Sequence, residues 1–81
     1  MHLNIISEAS RHAELSSAAE HAVTDELRDA ITAEVLRIEG RIAEAKPRTE
    51  DERRAVLGVV ANALEADGAQ PEYIAAIRAT L

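Results

Sequence analysis

The sequence predicts an all-α fold, a small three- to four-helix bundle built on a long antiparallel helical hairpin. Good helix formers dominate the chain, apolar residues recur every three or four positions, and the alternation typical of strands never persists. The 81 residues make one domain, 1–81, which is short for burying a large core. Start and stop signals place the helices at about 3–22, 25–46, 50–66 and 71–80.

The first helix, about 3–22, has an apolar start at Ile5 and Ile6, after which alanine and serine dominate its apolar face. We expect it either to pack very closely on its neighbours or to be held loosely until a partner orders it. The three histidines, His2, His12 and His21, all lie in this helix or directly before it. Because they match none of the usual helical spacings of metal ligands, we interpret them as solvated side chains on a polar face.

The second helix, about 25–46, begins with Thr24 as N-cap and ends before Pro47. One side carries a stripe of mainly large aliphatic residues, namely Ile31, Val35, Ile38, Ile42 and Ala45. At about 100° per residue, a second stripe lies on the opposite side. Two apolar stripes predict neighbours on both sides, and one neighbour can come from another polypeptide. We therefore predict an interface formed by Ala33, Leu36, Gly40 and Ala43.

The third helix, about 50–66, has the clearest start signal, because Thr49 and Glu52 match a capping box. Gly58 in its interior suggests close approach by another backbone, and Gly68 is the expected C-cap residue. The fourth helix, about 71–80, starts at Pro71, a preferred first helical position. The short link between the second and third helices predicts an antiparallel pair. The predicted structural centre joins Leu57, Val60 and Leu64 to Ile31, Val35, Ile38 and Ile42.

Composition excludes several classes of function. The net charge of −6 is spread along the chain without a basic patch, which argues against direct contact with nucleic acid. Cysteine is absent, so neither disulfides nor thiolate metal sites are expected. The sequence shows neither a signal-peptide pattern nor an apolar run of membrane-spanning length. We expect a cytoplasmic protein with no membrane partner.

The search for chemistry yields no catalytic residue, no cofactor site and no metal site. Serines near His12 lack a positioned base and an oxyanion site, so helix packing or solvation explains them. Arg48, Arg53 and Arg54 form the one basic cluster, but the adjacent acidic residues at 50–52 neutralise it. A salt-bridge network is therefore the favoured interpretation over a phosphate site.

The predicted function is a small acidic, non-catalytic interaction or regulatory module that acts through apolar helix faces. Its partner is a second copy of the chain, giving a homodimer or larger homo-oligomer, or a larger protein that it inhibits or links as an adaptor. The alternative is a small helical enzyme with an intersubunit site for an anionic substrate. By fold analogy alone, the long helix followed by two shorter ones is similar to the small helical chorismate mutases. The residues that could bind an anionic substrate in such an enzyme are Arg28, Arg37, Arg41, Lys46 and Arg53. They match no motif, and those on the long helix lie on both of its flanks.

Overall fold

A computed structural model describes residues 4–81, which form four α-helices and their connections. The helices are α1 (Ile5–Glu20), α2 (Asp25–Glu44), α3 (Glu50–Ala66) and α4 (Pro71–Ala79). No strand occurs within this part of the chain, so the all-α prediction is confirmed. None of these helices combines the length and apolar character that a bilayer span needs. The predicted start of the first helix at Leu3 lies outside the described residues.

Local signals explain where the helices begin and end. The Thr24 hydroxyl accepts the Leu27 amide at 3.1 Å, and the Thr49 hydroxyl accepts the Glu52 amide at the same distance. The Glu52 carboxylate accepts the Thr49 amide in return, which completes the predicted capping box. α2 ends two residues earlier than expected, since Ala45 is already extended, one residue before the Lys46 that Pro47 restricts. The first and fourth helices likewise stop one or two residues short of their predicted ends.

The end of α3 shows why glycine stands at position 68. Gly68 has a φ of +80°, a conformation that residues with a Cβ rarely adopt. Its amide donates to the carbonyl of Glu65, and the Ala69 amide donates to the carbonyl of Leu64. This pattern is a Schellman motif, in which Asp67 is the C-cap and Gly68 follows it. It turns the chain into α4 and satisfies carbonyls that the helix leaves free.

α1 lies at the centre of the helix arrangement. It packs extensively along α2 and also contacts α3, whereas α4 packs against α3. α2 and α3 touch over a much smaller area, although the sequence suggested that they form the main hairpin. The contacts are compatible with a bundle, but α1 supplies the link between its two halves. The sequence understated α1 because most of its apolar residues are small.

The core lies where α1, α2 and the middle of α3 converge. Its buried members are Ile5 from α1, Ile38 and Ile42 from α2, and Val59 from α3. Val60 was expected in this core, but 40% of it is exposed, because α3 turns the neighbouring Val59 inward. The other predicted core residues are half-buried, namely Ile31, Val35, Leu57 and Leu64. The predicted core is therefore right for Ile38 and Ile42 and wrong for Val60.

The molecule is unusually thin. Its principal dimensions are 38 × 37 × 16 Å, so the molecule is flattened along one direction. The accessible surface is 5792 Å², whereas a compact monomer of 8.7 kDa exposes about 4,700 Å². The fold therefore leaves about 1,000 Å² more surface exposed than its mass requires.

Candidate functional site

The predicted interface on α2 faces away from the core. Leu36, Gly40 and Ala43 are exposed and Ala33 is half-buried, while Ile38 and Ile42 on the opposite side of the helix are buried. We call the set Ala33, Leu36, Gly40 and Ala43 the α2 outer stripe. The Leu36 side chain is 60% exposed, and a Cβ placed on Gly40 would meet no atom within 4 Å. The stripe is therefore an apolar strip with room for close approach by another helix.

A network of carboxylates and arginines links α1 to α2. The carboxylate of Glu34 lies 2.7 Å from the Arg37 guanidinium and 3.6 Å from those of Arg11 and Arg41. Arg41 also donates to Glu8 at 3.1 Å, which ties α2 back to the first half of α1. Two of these pairs, Arg11 with Glu34 and Arg41 with Glu8, cross from one helix to the other. The pairs also neutralise these guanidinium groups.

The same contacts shift the pKa values of the network. Donation from Arg37 is the main reason that the pKa of Glu34 is held below its usual value, and the charges of Arg11, Arg37 and Arg41 act in the same direction. The hydrogen bond to Glu8 raises the pKa of Arg41, with support from Glu34. Both residues are thereby held in their charged forms, as expected for a structural ion-pair network.

His12 is the polar side chain that the sequence placed wrongly. It was interpreted as solvated, yet it is only 1% exposed and lies between α1 and α2. Its Nε2 is 2.8 Å from Glu39 Oε2, while its Nδ1 is buried without a hydrogen-bond partner. The available signal was the spacing of His12 from Ile5 and Ala9, which places all three on one face of α1. The identity of its partner was not readable, because Glu39 is 27 residues away.

Beside His12, the helices diverge and leave an open cleft of about 700 Å³. α1, α2 and the second half of α3 form its walls, while the core closes the other end of the molecule. Small side chains such as Ala13, Ser16 and Ala66 line it, and His12 and Glu39 form part of its surface. The serines and alanines of α1 therefore do not serve close packing here, since they border a space between the helices.

The structure does not gather the cationic residues of the enzyme alternative into one site. Arg28 pairs with Asp25, and Arg53 pairs with Glu50 at the start of α3. Arg37 and Arg41 meet around Glu34, as described above. Within residues 4–81 there is no group of three or more acidic or histidine side chains arranged to hold a metal ion. The guanidinium groups thus meet carboxylates of the same chain, which compete with any anionic substrate.

The predicted basic cluster behaves in the same way. Glu50 accepts from Arg53 and lies 3.7 Å from Arg54, so the acidic first turn of α3 neutralises these two arginines. The hydrogen bond from Arg53 is the main reason that the pKa of Glu50 is lowered, and the same bond raises the pKa of Arg53. This geometry supports a salt-bridge network at the helix start and gives no support to a phosphate site.

Comparisons with models of protein families, with curated proteins and with solved structures found no match. The fold and the geometry above therefore define the molecule as a thin all-α protein with an exposed apolar strip on α2 and an open cleft beside α1.

Proposed function

We propose that this chain is a non-catalytic interaction module whose α2 outer stripe packs against a helix of another polypeptide. The observation that carries the proposal is the exposure of Leu36 at the middle of α2, flanked by small residues. Large aliphatic side chains at the centre of a contact supply binding energy, while small neighbours let two helix backbones approach. The half of α2 that faces α1 already has its packing partner; the outer half has none among residues 4–81.

The excess surface supports an association of ordinary size. A standard protein interface buries about 800 Å² on each partner. The surplus accessible surface of this chain, about 1,000 Å², is similar in size. The buried core is also small, since four aliphatic residues make up its central cluster. Association is one of the usual ways in which a scaffold of this size gains stability.

We favour a second copy of the chain as the occupant, in a homodimer with the two α2 helices in contact. The α2 outer stripe can pack against a second copy of itself, because Leu36 of one copy can lie over the small residues of the other. A larger protein that the chain inhibits or links as an adaptor is the other possibility. The net charge is −6, and Glu50 neutralises Arg53 and Arg54 of the one basic cluster, so the chain gives no support for direct nucleic-acid binding. A cytoplasmic location remains part of this proposal.

The alternative, a small enzyme with an intersubunit site for an anion, has weaker support. Such a site needs cationic side chains that converge on the substrate, whereas Arg28, Arg37, Arg41 and Arg53 each engage a carboxylate of the same chain. Displacing these pairs would cost part of the binding energy that an anionic substrate brings.

The proposal is tested by sedimentation equilibrium of the wild type and of a Leu36→Glu variant at micromolar concentration. We expect the wild type to sediment as a dimer and the variant as a monomer that keeps its helical circular dichroism, because a buried unpaired carboxylate disfavours the interface. Tyr73→Glu is a matched control, since Tyr73 is 66% exposed on α4, away from the α2 outer stripe.

The outcomes separate the occupants. Loss of the dimer in Leu36→Glu but not in Tyr73→Glu supports the self-association. A wild type that stays monomeric across the concentration range rules out the homodimer and leaves a different protein as the occupant of the stripe. A dimer that both variants retain would show that the α2 outer stripe is not the interface.

A further inference from the structure

We propose that two copies of the chain pack their α2 helices antiparallel, so that the acidic start of one α2 lies beside the basic segment that follows the other. The inference rests on the proposed self-association of the α2 outer stripe. It adds the orientation of the two helices and the charged contacts at the two ends of the interface. The second copy supplies the cations that the acidic end of α2 lacks in its own chain.

The exposed surface of α2 changes charge from one end of the helix to the other. Residues 25–29 carry three carboxylates and one arginine, a net charge of −2. Residues 44–48 carry one carboxylate, one lysine and one arginine, a net charge of +1. The charged side chains of both segments are exposed, and the exposed Leu36 lies between them. The surface is therefore acidic at its start, apolar in its middle and basic at its end.

Three of these charged side chains have no partner in the chain itself. Asp29, Lys46 and Arg48 take part in no side-chain ion pair or hydrogen bond with other residues of the range 4–81. Asp29 lies on the same face of α2 as Leu36, because the two are separated by one seven-residue repeat. These groups are therefore available to another polypeptide.

The spacing of the α2 outer stripe favours a shallow crossing of the two helices. Ala33, Leu36, Gly40 and Ala43 follow steps of three, four and three residues, the pattern of helix pairs that cross at about 20°. Asp29 is about 14 Å along the helix from the midpoint between Leu36 and Gly40. At a crossing angle of about 20°, two helices still run side by side at this distance, so the charged ends lie within reach of each other.

Antiparallel packing pairs the opposite charges, whereas parallel packing opposes like charges. In an antiparallel pair that crosses midway between Leu36 and Gly40, Leu36 of each copy lies over Gly40 of the other. Asp29 of each copy then lies beside the segment that carries Lys46 and Arg48 of the other. In a parallel pair, Asp29 faces Asp29 and Leu36 faces Leu36. The antiparallel arrangement also opposes the two helix dipoles favourably.

The charged residues beside the crossing point are occupied within their own chain. Arg37 and Glu39 lie on opposite flanks of α2, and in the antiparallel pair each lies near its own counterpart. The Arg37 guanidinium is neutralised by Glu34 at 2.7 Å. The Glu39 carboxylate is held at 2.8 Å by His12, on the side of α1. Neither residue therefore competes with the contacts of Asp29.

The orientation is tested by the distance between two spin labels, one on each copy of a Val23→Cys variant. Val23 is 89% exposed just before α2, and the chain has no cysteine of its own, so each copy takes a single label. Antiparallel packing should separate the labels by about 45 Å, at 1.5 Å per residue from the crossing point. Parallel packing should leave them near the interaxial distance of packed helices, about 8–10 Å, extended by the labels. Double electron–electron resonance measures the distance.

Charge variants test the contacts at the ends of the interface. Asp29→Lys should weaken dimerisation about fivefold in sedimentation equilibrium, because each dimer then places two lysines beside the basic segments. Adding Lys46→Glu should recover part of this loss, because it restores an opposite charge at that end. Glu14→Lys is the matched control, since it makes the same change of charge at an exposed position of α1 and should leave the dimer intact.

The outcomes separate this inference from the proposed function. A wild type that stays monomeric overturns both. A dimer that Leu36→Glu abolishes keeps α2 as the interface, and a short label distance in that dimer overturns the antiparallel orientation. Equal dimer affinities of the wild type and Asp29→Lys overturn the charged contacts. A distance of about 45 Å, together with weakening by Asp29→Lys and recovery by Lys46→Glu, supports the inference.

Discussion

His12 and Glu39 are joined by a 2.8 Å contact that links the middle of α1 to the second half of α2. The imidazole is 1% exposed, whereas the carboxylate side chain keeps 28% of its surface in contact with solvent. One member of the pair is therefore removed from water and the other remains hydrated. The pair lies where the packed core gives way to the open cleft, so it contributes to the packing of α1 on α2 at that boundary.

His12→Ala should destabilise the fold by about 1–3 kcal/mol, because it removes a buried ring and its hydrogen bond to Glu39. His21→Ala is the matched control, since His21 is exposed at the C-cap of α1, and its effect should be small. Urea denaturation followed by circular dichroism measures both changes. Equal stabilities of the two variants would contradict the burial of His12.

Val59→Ala should lower the free energy of unfolding by about 2 kcal/mol, the cost of two buried methyl groups and the space that they leave. Its neighbour Val60 is 40% exposed, compared with 4% for Val59, so Val60→Ala should cost less than half as much. Chemical denaturation of the two variants under identical conditions provides the comparison. The reverse order would mean that α3 presents the other face to α1.

Thr49→Ala should destabilise the protein by about 1 kcal/mol through loss of the bond to the Glu52 amide, without a change of fold. Thr32→Ala, at an exposed position within α2, should be neutral or slightly stabilising because alanine is the better helix former. The melting temperatures of the two variants, measured at the same protein concentration, provide the comparison. An unchanged melting temperature in Thr49→Ala would contradict a stabilising role for the capping box.

Gly58→Ala should stabilise the protein by about 0.5–1 kcal/mol, because alanine favours the helix and the added methyl meets no atom within 4 Å. The close backbone approach expected from the sequence at Gly58 is therefore not found. In the monomer, the methyl group of Gly40→Ala likewise meets no atom within 4 Å. If the α2 outer stripe is an interface, however, the methyl group at position 40 should weaken dimerisation. Sedimentation equilibrium of Gly40→Ala and Gly58→Ala compares their dimer affinities. Equal dimer affinities would argue against close packing at Gly40.

Arg37→Gln should raise the pKa of Glu34 toward its usual value, because donation from Arg37 is the largest cause of the shift. A carboxyl whose pKa is lowered by folding contributes stability above its unfolded pKa, and that contribution disappears as the pH falls through its folded pKa. The stability difference between the wild type and the variant should therefore be present at neutral pH and shrink under acidic conditions. NMR titration of the Glu34 side chain checks the pKa, with Arg48→Gln as an exposed control. An unchanged Glu34 pKa would assign the shift to Arg11 and Arg41.

Signals confined to a few neighbouring residues were readable from the sequence. Thr24 and Thr49 cap their helices through bonds to amides three residues later, and Pro47 and Gly68 end segments through their own backbone restrictions. None of these effects requires knowledge of a distant partner. This is why the starts of α2, α3 and α4 and the end of α3 lie where the sequence predicts them.

Choices that depend on distant residues were not readable. Val59 and Val60 are equally apolar neighbours, so the pattern of α3 alone cannot decide which one faces α1. The burial of His12 depends on Glu39, and the central position of α1 depends on how two other helices pack on it. The candidate cleft was missed for the same reason, since its three walls come from separate helices.

The contact pattern around α1 also bears on how the chain folds. α1 with α2 and α3 with α4 are neighbours along the sequence, so each pair can associate after closing only a short loop at small entropic cost. The contact of α1 with α3 then joins the two pairs across a longer stretch of chain. A topology dominated by such local contacts has a low contact order, which is characteristic of proteins that fold in microseconds to milliseconds.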